Sequence, residues 1–420
     1  MKVLFLAHRF PFPPNKGDKI RSFNILRYLA ARHEVHLGCL IDDPADLQAV
    51  PEFVKSVCSV AFDVIRPGPR KLLCVSALLR SQSLTLAYFY SRKLQRRVDE
   101  IIAAAGIEAV FCSSSPMAEY VFRSRHWGGR LKQVRRIMDL IDVDSLKWAQ
   151  YADSSPAWKA WIYRYEARHL AAYERRIAGA FDRLYVVSES EMGHFPGGAA
   201  DISIQAISNG VDLEYFTPGG ADAVSRDGPS AADSGHEPTI VFTGVMDYWP
   251  NVEGVKWFVE SVLPSVRAAV PAVRFVIVGS RPTPEVRRLE SAQGVTVTGF
   301  VNDVREYVRQ AAVCVAPLRI ARGVQNKILE AMAMAKAMVT TPQGHEGLRA
   351  RVGEEILVAQ DAASFAASVV DLLVHSEKAQ RIGSNARRCV ERNYCWDDNL
   401  RALDEAMPVS GAVELARAGG

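Results

Sequence analysis

Short apolar runs alternate with amphipathic helical stretches along most of the chain. The first runs span 3–8 and 34–42, and the helix between them is predicted to begin at Asp18. The later runs are 109–114, 135–142, 183–190, 239–244, 274–279, 295–300, 314–318 and 337–342. Strands and helices that alternate in this way predict parallel sheets covered by helices on both faces, an α/β fold.

One helical stretch and one polar stretch stand out in this pattern. The stretch 156–180 carries aromatic residues along an amphipathic face, namely Trp158, Trp161, Tyr165 and Tyr173. Residues 219–238 contain almost no large apolar side chain, which indicates a surface loop or linker.

The polar stretch divides the chain. The predicted parts are a Rossmann-like N-terminal domain over 1–212, a linker over 213–238, a second Rossmann-like domain over 239–395, and a C-terminal tail over 396–420 that packs back on the first domain. Two doubly wound domains joined by one linker leave a cleft between them. Since ligands bind at the carboxyl ends of parallel strands, functional residues are expected just after the strands.

Composition supports a folded protein. Of the 420 residues, 49% are hydrophobic and 23% are charged, which excludes a predominantly disordered chain or a coiled coil. No run reaches the roughly 18 apolar residues of a membrane span, and the run at 3–8 is too short for a signal peptide, so a cytoplasmic location is expected. The seven cysteines are scattered without metal-site spacing, which favours reduced thiols.

Charge is unevenly distributed. Residues 1–210 hold 29 Lys and Arg against 21 Asp and Glu, whereas residues 211–420 hold 22 against 26. A basic half attracts phosphates, anionic lipid or nucleic acid, but no nucleic-acid-binding motif is present. The stretch 66–97 has eight Lys and Arg, no acid and interleaved Leu, Tyr and Phe, which is typical of a segment at a membrane surface; an ordinary helix pair with solvated basic ends is the alternative.

The loop after the first strand is a candidate anion site. Gly17 permits close approach at a helix N-terminus, and Lys16, Lys19 and Arg21 add positive charge for a phosphate or another anion. Neither a dinucleotide-binding glycine motif nor a P-loop is present. A connecting loop with solvated lysines is the alternative.

Three carboxylates follow the run at 135–142. Asp139, Asp142 and Asp144 are suited to act as a base, to bind a substrate hydroxyl or to hold a metal. The alternative is a helix N-cap formed by Asp144 or Ser145.

A third cluster follows the run at 314–318. Gly323 leaves the start of the next helix open, and Arg322 and Lys327 are placed to clamp a diphosphate. Glu330, three residues beyond Lys327, shares its helix face and is suited to bind both ribose hydroxyls. A surface Lys327–Glu330 pair is the alternative.

These residues resemble a known family. The stretches HRFPFPPNKGDKIRSF, MDLIDVDSLKW, ISNGVDLEYFTP, FTGVMDYWPN and RGVQNKILEAMAMA are similar to those of family 4 glycosyltransferases with the GT-B fold. More narrowly, the chain resembles the sugar transferases of the PEP-CTERM/exosortase exopolysaccharide system over roughly residues 1–400. The resemblance implies two Rossmann-like domains facing each other across a cleft.

The resemblance also implies a donor site in the second domain. Glu330 falls on the second Glu of the family's E-x7-E motif, which binds the donor ribose, whereas Arg322 stands where the first Glu is expected. The loop from Gly244 to Asn251 lacks the basic residue of many relatives, so diphosphate charge would move to Arg322 and Lys327. Further donor-binding residues are predicted at Gly17, Gly244 and Asn251, at Gly344 and Gly347 near the phosphates, and at Phe300 and Val301 near the nucleobase. Lys16, Lys19 and Arg21 are predicted to bind the acceptor or a phosphate. Phe300 as an ordinary core residue is the alternative.

On the acceptor side, the family's usual His aligns near Ile141, and Asp142 matches the Asp that follows it in several branches. Asp142 is therefore the first catalytic candidate and Asp139 the second. No D-x-D motif lies in the second domain, so we expect catalysis without a metal or other cofactor, with retention of anomeric configuration.

The function expected from the resemblance is transfer of a hexose from a UDP- or GDP-sugar to a lipid-linked or free glycan, in exopolysaccharide or cell-surface polysaccharide synthesis. The protein would then be cytoplasmic, with peripheral contact at the inner membrane face, and would bind no nucleic acid. A non-hydrolysing sugar-nucleotide epimerase of the same fold and an inactive binding module are the alternatives.

Overall fold

The computed structural model describes residues 1–153, 155–193, 195, 203–219 and 237–408. They form two compact units, one built from residues 1–208 together with the segment after Leu400, and one built from Asn209–Asn399. Most of the predicted linker, residues 220–236, and the end of the predicted tail, residues 409–420, lie outside the described residues.

The first unit is built on a sheet of seven parallel strands. In sheet order they run β3-β2-β1-β4-β5-β6-β7. Their bounds are β1 Lys2–Ala7, β2 Glu34–Ile41, β3 Ser59–Val64, β4 Ala109–Ser113, β5 Arg135–Asp139, β6 Arg183–Val186 and β7 Ile204–Ala206. The order reverses between β1 and β4, so a crevice for ligands is expected at their carboxyl ends.

Helices cover this sheet. In chain order they are α1 Gly17–Ala30, α2 Val50–Phe53, α3 Pro67–Leu79, α4 Leu84–Phe89, α5 Arg92–Ala104, α6 Glu119–Phe122, α7 Asp144–Asp153, α8 Ala157–Ala178 and α9 Glu189–Gly193. The core between sheet and helices is apolar, with Leu4, Val110 and Met138 from the strands fully buried. Burying these side chains drives the layers together.

The second unit repeats the plan with six parallel strands in the order β10-β9-β8-β11-β12-β13. The strands are β8 Thr239–Thr243, β9 Arg274–Val278, β10 Val295–Gly299, β11 Val313–Ala316, β12 Met338–Thr340 and β13 Leu357–Val358. Its helices are α10 Trp249–Trp257, α11 Leu263–Ala269, α12 Pro284–Arg288, α13 Arg305–Gln310, α14 Asn326–Ala333, α15 Pro342–His345, α16 Ala362–Val374 and α17 Ser376–Asn393. Here the order reverses between β8 and β11.

The end of the described chain returns to the first unit. After α18 Trp396–Leu400 comes α19 Leu403–Ala406. Tyr28 donates a hydrogen bond to Asp404 at 2.8 Å, and Arg135 donates to the carbonyl of Ala406 at 2.7 Å. These contacts hold α19 against α1 and β5.

Two doubly wound α/β units confirm the predicted fold class. Every predicted strand is present, and three strands had no apolar run to reveal them: β3, β7 and β13. β3 is only partly buried and β13 has two residues, so neither needs a continuous apolar sequence. β5 ends at Asp139, so Asp142 lies in the following loop and not in the strand.

The aromatic face expected on α8 divides between core and solvent. Tyr173 is buried, whereas Trp158 and Trp161 are exposed near the start of the helix. All seven cysteines are unpaired, and four of them are buried. Among the described residues, no helix combines the length and the apolar character needed to cross a bilayer.

Candidate functional site

The point of strand-order reversal in the second unit gathers most of the predicted donor-binding residues. Gly244 follows β8, and the loop 317–325 leads from β11 into α14. Because β8 and β11 are neighbours, their carboxyl ends form the edge where a doubly wound sheet binds nucleotides.

Gly244, Asn251 and Lys327 are in direct contact at this edge. Lys327 donates from Nζ to Asn251 Oδ1 at 2.5 Å, and the Asn251 amide nitrogen donates to the carbonyl of Val245 at 2.9 Å. A Cβ at Gly244 would lie 2.7 Å from Asn251 Nδ2 and 3.3 Å from Lys327 Nζ. Glycine is therefore required here, because any side chain would displace the lysine or the amide.

Lys327 and Glu330 lie on one face of α14 and perturb each other. Burial lowers the pKa of Lys327 to about 7 against the opposing charge of Glu330. Burial also raises the pKa of Glu330 to about 7, and here the charge of Lys327 opposes the shift. Burial thus favours the neutral forms of both side chains, which costs folding free energy. Such a pair at the carboxyl ends of strands indicates a functional site and argues against the alternative of a surface ion pair.

The start of α14 has amides available for an anion. No side chain among the described residues caps it through the N-cap residue Gln325. Uncapped first-turn N–H groups and the helix dipole favour a phosphate there.

The NGVD stretch, residues 209–212, contacts the first residue of α14. Asn209, which the sequence did not single out as a site residue, donates to Asn326 Oδ1 at 3.0 Å. A Cβ at Gly210 would lie 2.7 Å from the Trp396 ring, so only glycine fits. The motif thus positions the helix that carries Lys327 and Glu330.

Arg322 has another partner than expected. Its guanidinium Nη1 lies 3.2 Å from Glu346 Oε1, and its Nε is buried without a hydrogen-bond partner among the described residues. Gly323, at φ +63°, turns the chain between Arg322 and α14. Glu346 thus offsets part of the charge of Arg322. The clamp of Arg322 and Lys327 on a diphosphate stays a prediction.

The two glycines near Glu346 differ in availability. The amide of Gly344 already donates to Thr341 Oγ1 at 3.1 Å, and a Cβ there would lie 2.2 Å from Thr340 Oγ1. Gly344 is thus closely packed against Thr340, and its place near the phosphates stays a prediction. Gly347 has φ +82°, so it forms the turn after Glu346.

Phe300 is 75% exposed, which excludes the alternative of a core residue. It follows Gly299, whose φ of +75° turns the chain out of β10, and the next residue, Val301, is partly exposed. An exposed aromatic ring at a strand end is suited to stack on a nucleobase.

In the first unit, two cations predicted to bind phosphate are buried in ion pairs. Arg21 makes a bidentate pair with Asp139, with nitrogen–oxygen distances of 2.7 to 3.0 Å. Lys19 donates to both oxygens of Asp46 at 2.9 and 3.0 Å. Because all four side chains are buried, Lys19 and Arg21 are corrected to structural residues, and so is Asp139 as a catalytic candidate.

The start of α1 is also more acidic than expected. α1 begins at Gly17 after the N-cap Lys16, and Asp18 does not cap it but contacts His8 Nε2 at 3.0 Å. Burial raises the pKa of Asp18, but the His8 hydrogen bond and the Arg9 charge outweigh burial and hold it well below its ordinary value. Of the predicted anion site, only Lys16 and exposed Gly17 remain accessible.

His8 and Arg9 were missed by the sequence reading, although both directly follow β1. Arg9 bridges Asp18 and Asp42, with its Nε 2.8 Å from Asp42 Oδ2. Nδ1 of His8 is buried, and no hydrogen-bond partner for it occurs among the described residues. Polar residues directly after a first strand were the available signal.

Asp142 is the accessible carboxylate after β5. Its side chain is 27% exposed and lies 3.2 Å from Lys147 Nζ. It sits in the loop that joins β5 to α7, next to the strongly turned Ile141 at φ +65°. A substrate hydroxyl can approach Asp142 but not the buried Asp139.

Asp144, which is partly exposed, and the buried Glu174 lie together at the start of α7. Ser115 donates to Asp144 at 2.7 Å, and burial raises the pKa of Asp144 against the charge of Lys147. Glu174 accepts from the amide of Ser145 at 3.0 Å, and burial raises its pKa to about 8. The cap of α7 is therefore supplied by Glu174 on α8, which no local spacing indicates.

Glu174 makes stability depend on pH. Its pKa in the folded state lies above the ordinary value, so the folded chain gains stability below pH 4.5 and loses it as pH rises through 8. When pH is raised from 5 to 9, we expect the free energy of unfolding to fall less in Glu174→Gln than in wild type, as measured by urea unfolding. Exposed Glu100→Gln is the control and should follow wild type. Equal pH profiles for Glu174→Gln and wild type would contradict this assignment.

No group of three or more His, Cys, Asp or Glu side chains able to hold a metal ion was found within the described ranges. Metal-independent catalysis stays a prediction.

Comparisons with known proteins agree with this geometry. Residues 237–375, which carry the β8–β11 edge and α14, match the family described as glycosyl transferases group 1. The chain is 21% identical over 405 residues to an uncharacterized 44.6 kDa protein of the cps region of Klebsiella pneumoniae, covering 94% of this chain and 96% of that one.

Solved structures share the two-unit plan. Sucrose-phosphate synthase from Thermosynechococcus elongatus aligns with a TM-score of 0.70 and 18% identity over 100% of both chains. Anabaena Alr3699/HepE, in complex with UDP and glucose, aligns with a TM-score of 0.66 and 14% identity over 97% of this chain and 99% of that one. These likenesses show the GT-B fold. The chain is therefore an enzyme of the glycosyltransferase class, with a glycosyl transferases group 1 domain in its second unit.

Proposed function

We propose that this protein transfers a sugar from a nucleotide-sugar to a glycan hydroxyl. The observation that carries the proposal is that Lys327 and Glu330 lie at the strand-end edge of the second unit, with Lys327 bound to Asn251 beside Gly244. HepE has been solved in complex with UDP-glucose, so a UDP-sugar is the first donor to test and a GDP-sugar the second.

The chemistry of donor activation follows from the α14 region. Transfer releases a nucleoside diphosphate, whose developing charge must be neutralised. The Lys327 ammonium and the first-turn amides of α14 would take up this charge without a metal. The Glu330 carboxylate would accept hydrogen bonds from the ribose, and the exposed Phe300 ring with Val301 would hold the base.

The acceptor side is assigned to the first unit. Asp142 would hydrogen-bond the attacking hydroxyl and take up its proton, with Lys147 holding the carboxylate in place. Retention of anomeric configuration rests on the family resemblance alone.

The biological setting that we propose is the synthesis of a cell-surface polysaccharide. The relative from a cps region supports a role in exopolysaccharide or other cell-surface polysaccharide synthesis, with a glycan acceptor carried on a lipid. Membership of family 4, the link to PEP-CTERM/exosortase systems and the cytoplasmic location remain predictions.

A screen of nucleotide-sugars tests the function. Purified protein is mixed with UDP- and GDP-sugars, and both thermal stabilisation and release of nucleoside diphosphate are measured. We expect one nucleotide class to raise the melting temperature and one sugar of that class to be turned over. Stabilisation without turnover, with and without glycan acceptors, would favour a binding module.

Glu330→Gln tests the donor site. Loss of a charge-assisted ribose contact of about 1.5–3 kcal/mol lowers UDP affinity about 10- to 150-fold, measured by calorimetry. Because the folded state raises the pKa of Glu330, ionising it reduces stability as pH rises through 7. At pH 8 the variant should therefore be at least as stable as wild type.

Exposed Glu377→Gln in the same unit is the matched control, with unchanged affinity and stability. If Glu330→Gln binds UDP as well as wild type does, the donor assignment is wrong. Loss of stability together with affinity would instead indicate a structural role.

A further inference from the structure

The outer face of α3 is apolar. Leu72, Val75 and Leu79 recur at helical spacing and point to solvent, with Leu72 74% and Leu79 83% exposed, and Leu73 flanks them. Surface helices of globular proteins usually place polar residues toward solvent, whereas α3 exposes leucine and valine. A contiguous exposed apolar strip of this kind marks an interaction surface.

Other residues than the exposed leucines and valine attach α3 to the first unit. Arg70 donates to the carbonyl of Tyr90, Cys74 donates to the carbonyl of Leu84 at 3.6 Å, and Ala77 is buried. α3 is thus held to the unit by polar and small groups, and its leucines are free to meet a partner.

The third turn of α8 contacts the loop that follows α3. Tyr165 donates to the carbonyl of Gln82 at 3.1 Å, just beyond α3. Glu166 accepts from Ser83 and from the amides of Leu84 and Thr85, which locks α8 to the start of α4.

Trp158 and Trp161 extend this surface. They precede Tyr165 on the same helical stripe and are 67% and 51% exposed. Tyr165 contacts Gln82, and Trp161 stands one helical turn before Tyr165 on α8. We call the set Leu72, Leu73, Val75, Leu79, Trp158 and Trp161 the docking face.

Basic residues flank the docking face on α3 and beside Trp158. Arg66, Lys71 and Arg80 are exposed at the two ends and along the side of α3, and Lys159 lies 4.9 Å from the Trp158 ring. No acidic residue occurs between residues 66 and 97. A protein partner or a second copy would have to supply matching acids, whereas an anionic bilayer offers a continuous negative surface over apolar chains.

We propose that the docking face binds the surface of an anionic lipid bilayer. Leucines on an in-plane helix enter the acyl boundary, tryptophans lie at the headgroup level, and each basic residue adds about 1 kcal/mol of attraction. Docking would bring the first unit to a lipid-linked acceptor. Lipid binding goes beyond the proposed transfer reaction and does not rest on it, since it needs no donor.

Vesicle co-sedimentation of the full chain tests this proposal. Vesicles of phosphatidylcholine with phosphatidylglycerol are compared with vesicles of phosphatidylcholine alone. We expect binding to the anionic vesicles that weakens as salt is raised. Leu72→Glu/Leu79→Glu should lower the partition coefficient about 30-fold or more, because each new acid near the anionic surface costs about 1 kcal/mol, or about fivefold.

Val352→Glu/Val374→Glu is the matched control, since both valines are exposed in the second unit and the same charge is added. It should bind like wild type. Trp158→Phe/Trp161→Phe should abolish most quenching of tryptophan fluorescence by brominated lipid.

Three outcomes would overturn the proposal. They are binding that ignores lipid charge and salt, an equal loss of binding in the control, and a concentration-dependent dimer that only the leucine variant loses. Nucleoside diphosphate release is measured in parallel. Vesicle binding without turnover would refute the proposed function alone, and turnover without vesicle binding would refute the docking face alone.

Discussion

Replacing Asp142 with asparagine is expected to lower turnover about 10²- to 10⁴-fold, with nucleotide affinity nearly unchanged. The substitution keeps the shape of the side chain and removes its basicity. Asp142 is the partly exposed carboxylate after β5, whereas Asp139 is buried against Arg21 and cannot meet a substrate. The effect should therefore appear in kcat, measured with the donor identified by the screen.

Asp153→Asn is the matched control for this variant. Asp153 is an exposed carboxylate at the end of α7, and its ion pair with Arg164 is long at 3.9 Å. It should leave kcat unchanged. Near wild-type turnover in Asp142→Asn would reject the role, and loss of thermal stability in place of turnover would assign Asp142 to the fold.

Replacing Arg21 with methionine is expected to lower the free energy of unfolding by about 3–5 kcal/mol. The variant leaves the Asp139 carboxylate buried without its bidentate partner and leaves the carbonyl of Ile207 without its donor at 2.8 Å. Urea unfolding followed on the first unit measures the loss.

Two further variants separate the ion pair from simple packing. Arg21→Met/Asp139→Leu should recover much of the lost stability, because a buried pair replaced by apolar groups leaves no uncompensated charge. Arg27→Met, an exposed position on the same helix, should change little. A loss below about 1 kcal/mol in Arg21→Met would contradict a structural role for the pair.

The sequence revealed the strands and the strand-end position of the donor site because both follow from local pattern. Apolar runs marked the strands that lead to Gly244 and to α14, and the spacing of Lys327 and Glu330 placed them on one helix face. The contact of Lys327 with Asn251 follows once β8 and β11 are neighbours.

Partners that lie far along the chain could not be predicted from local pattern. Lys19 and Arg21 look like solvated cations, since their partners Asp46 and Asp139 stand 27 and 118 positions away. Glu346, the partner of Arg322, lies 24 positions on, and Glu174 caps a helix from 29 positions away. No local pattern distinguishes a buried ion pair from an anion site, because both place the same charges after a strand.

Hydrogen–deuterium exchange of the full chain, with and without saturating UDP and in a separate run GDP, tests the central claim most directly. That claim is that the edge between β8 and β11 in the second unit holds a nucleotide-sugar donor. The nucleotide that stabilises the protein should slow exchange in 244–251 and 326–333, and Glu330→Gln should reduce that protection. Stabilisation by a nucleotide with protection confined to other segments, or with none in these two, would contradict the account.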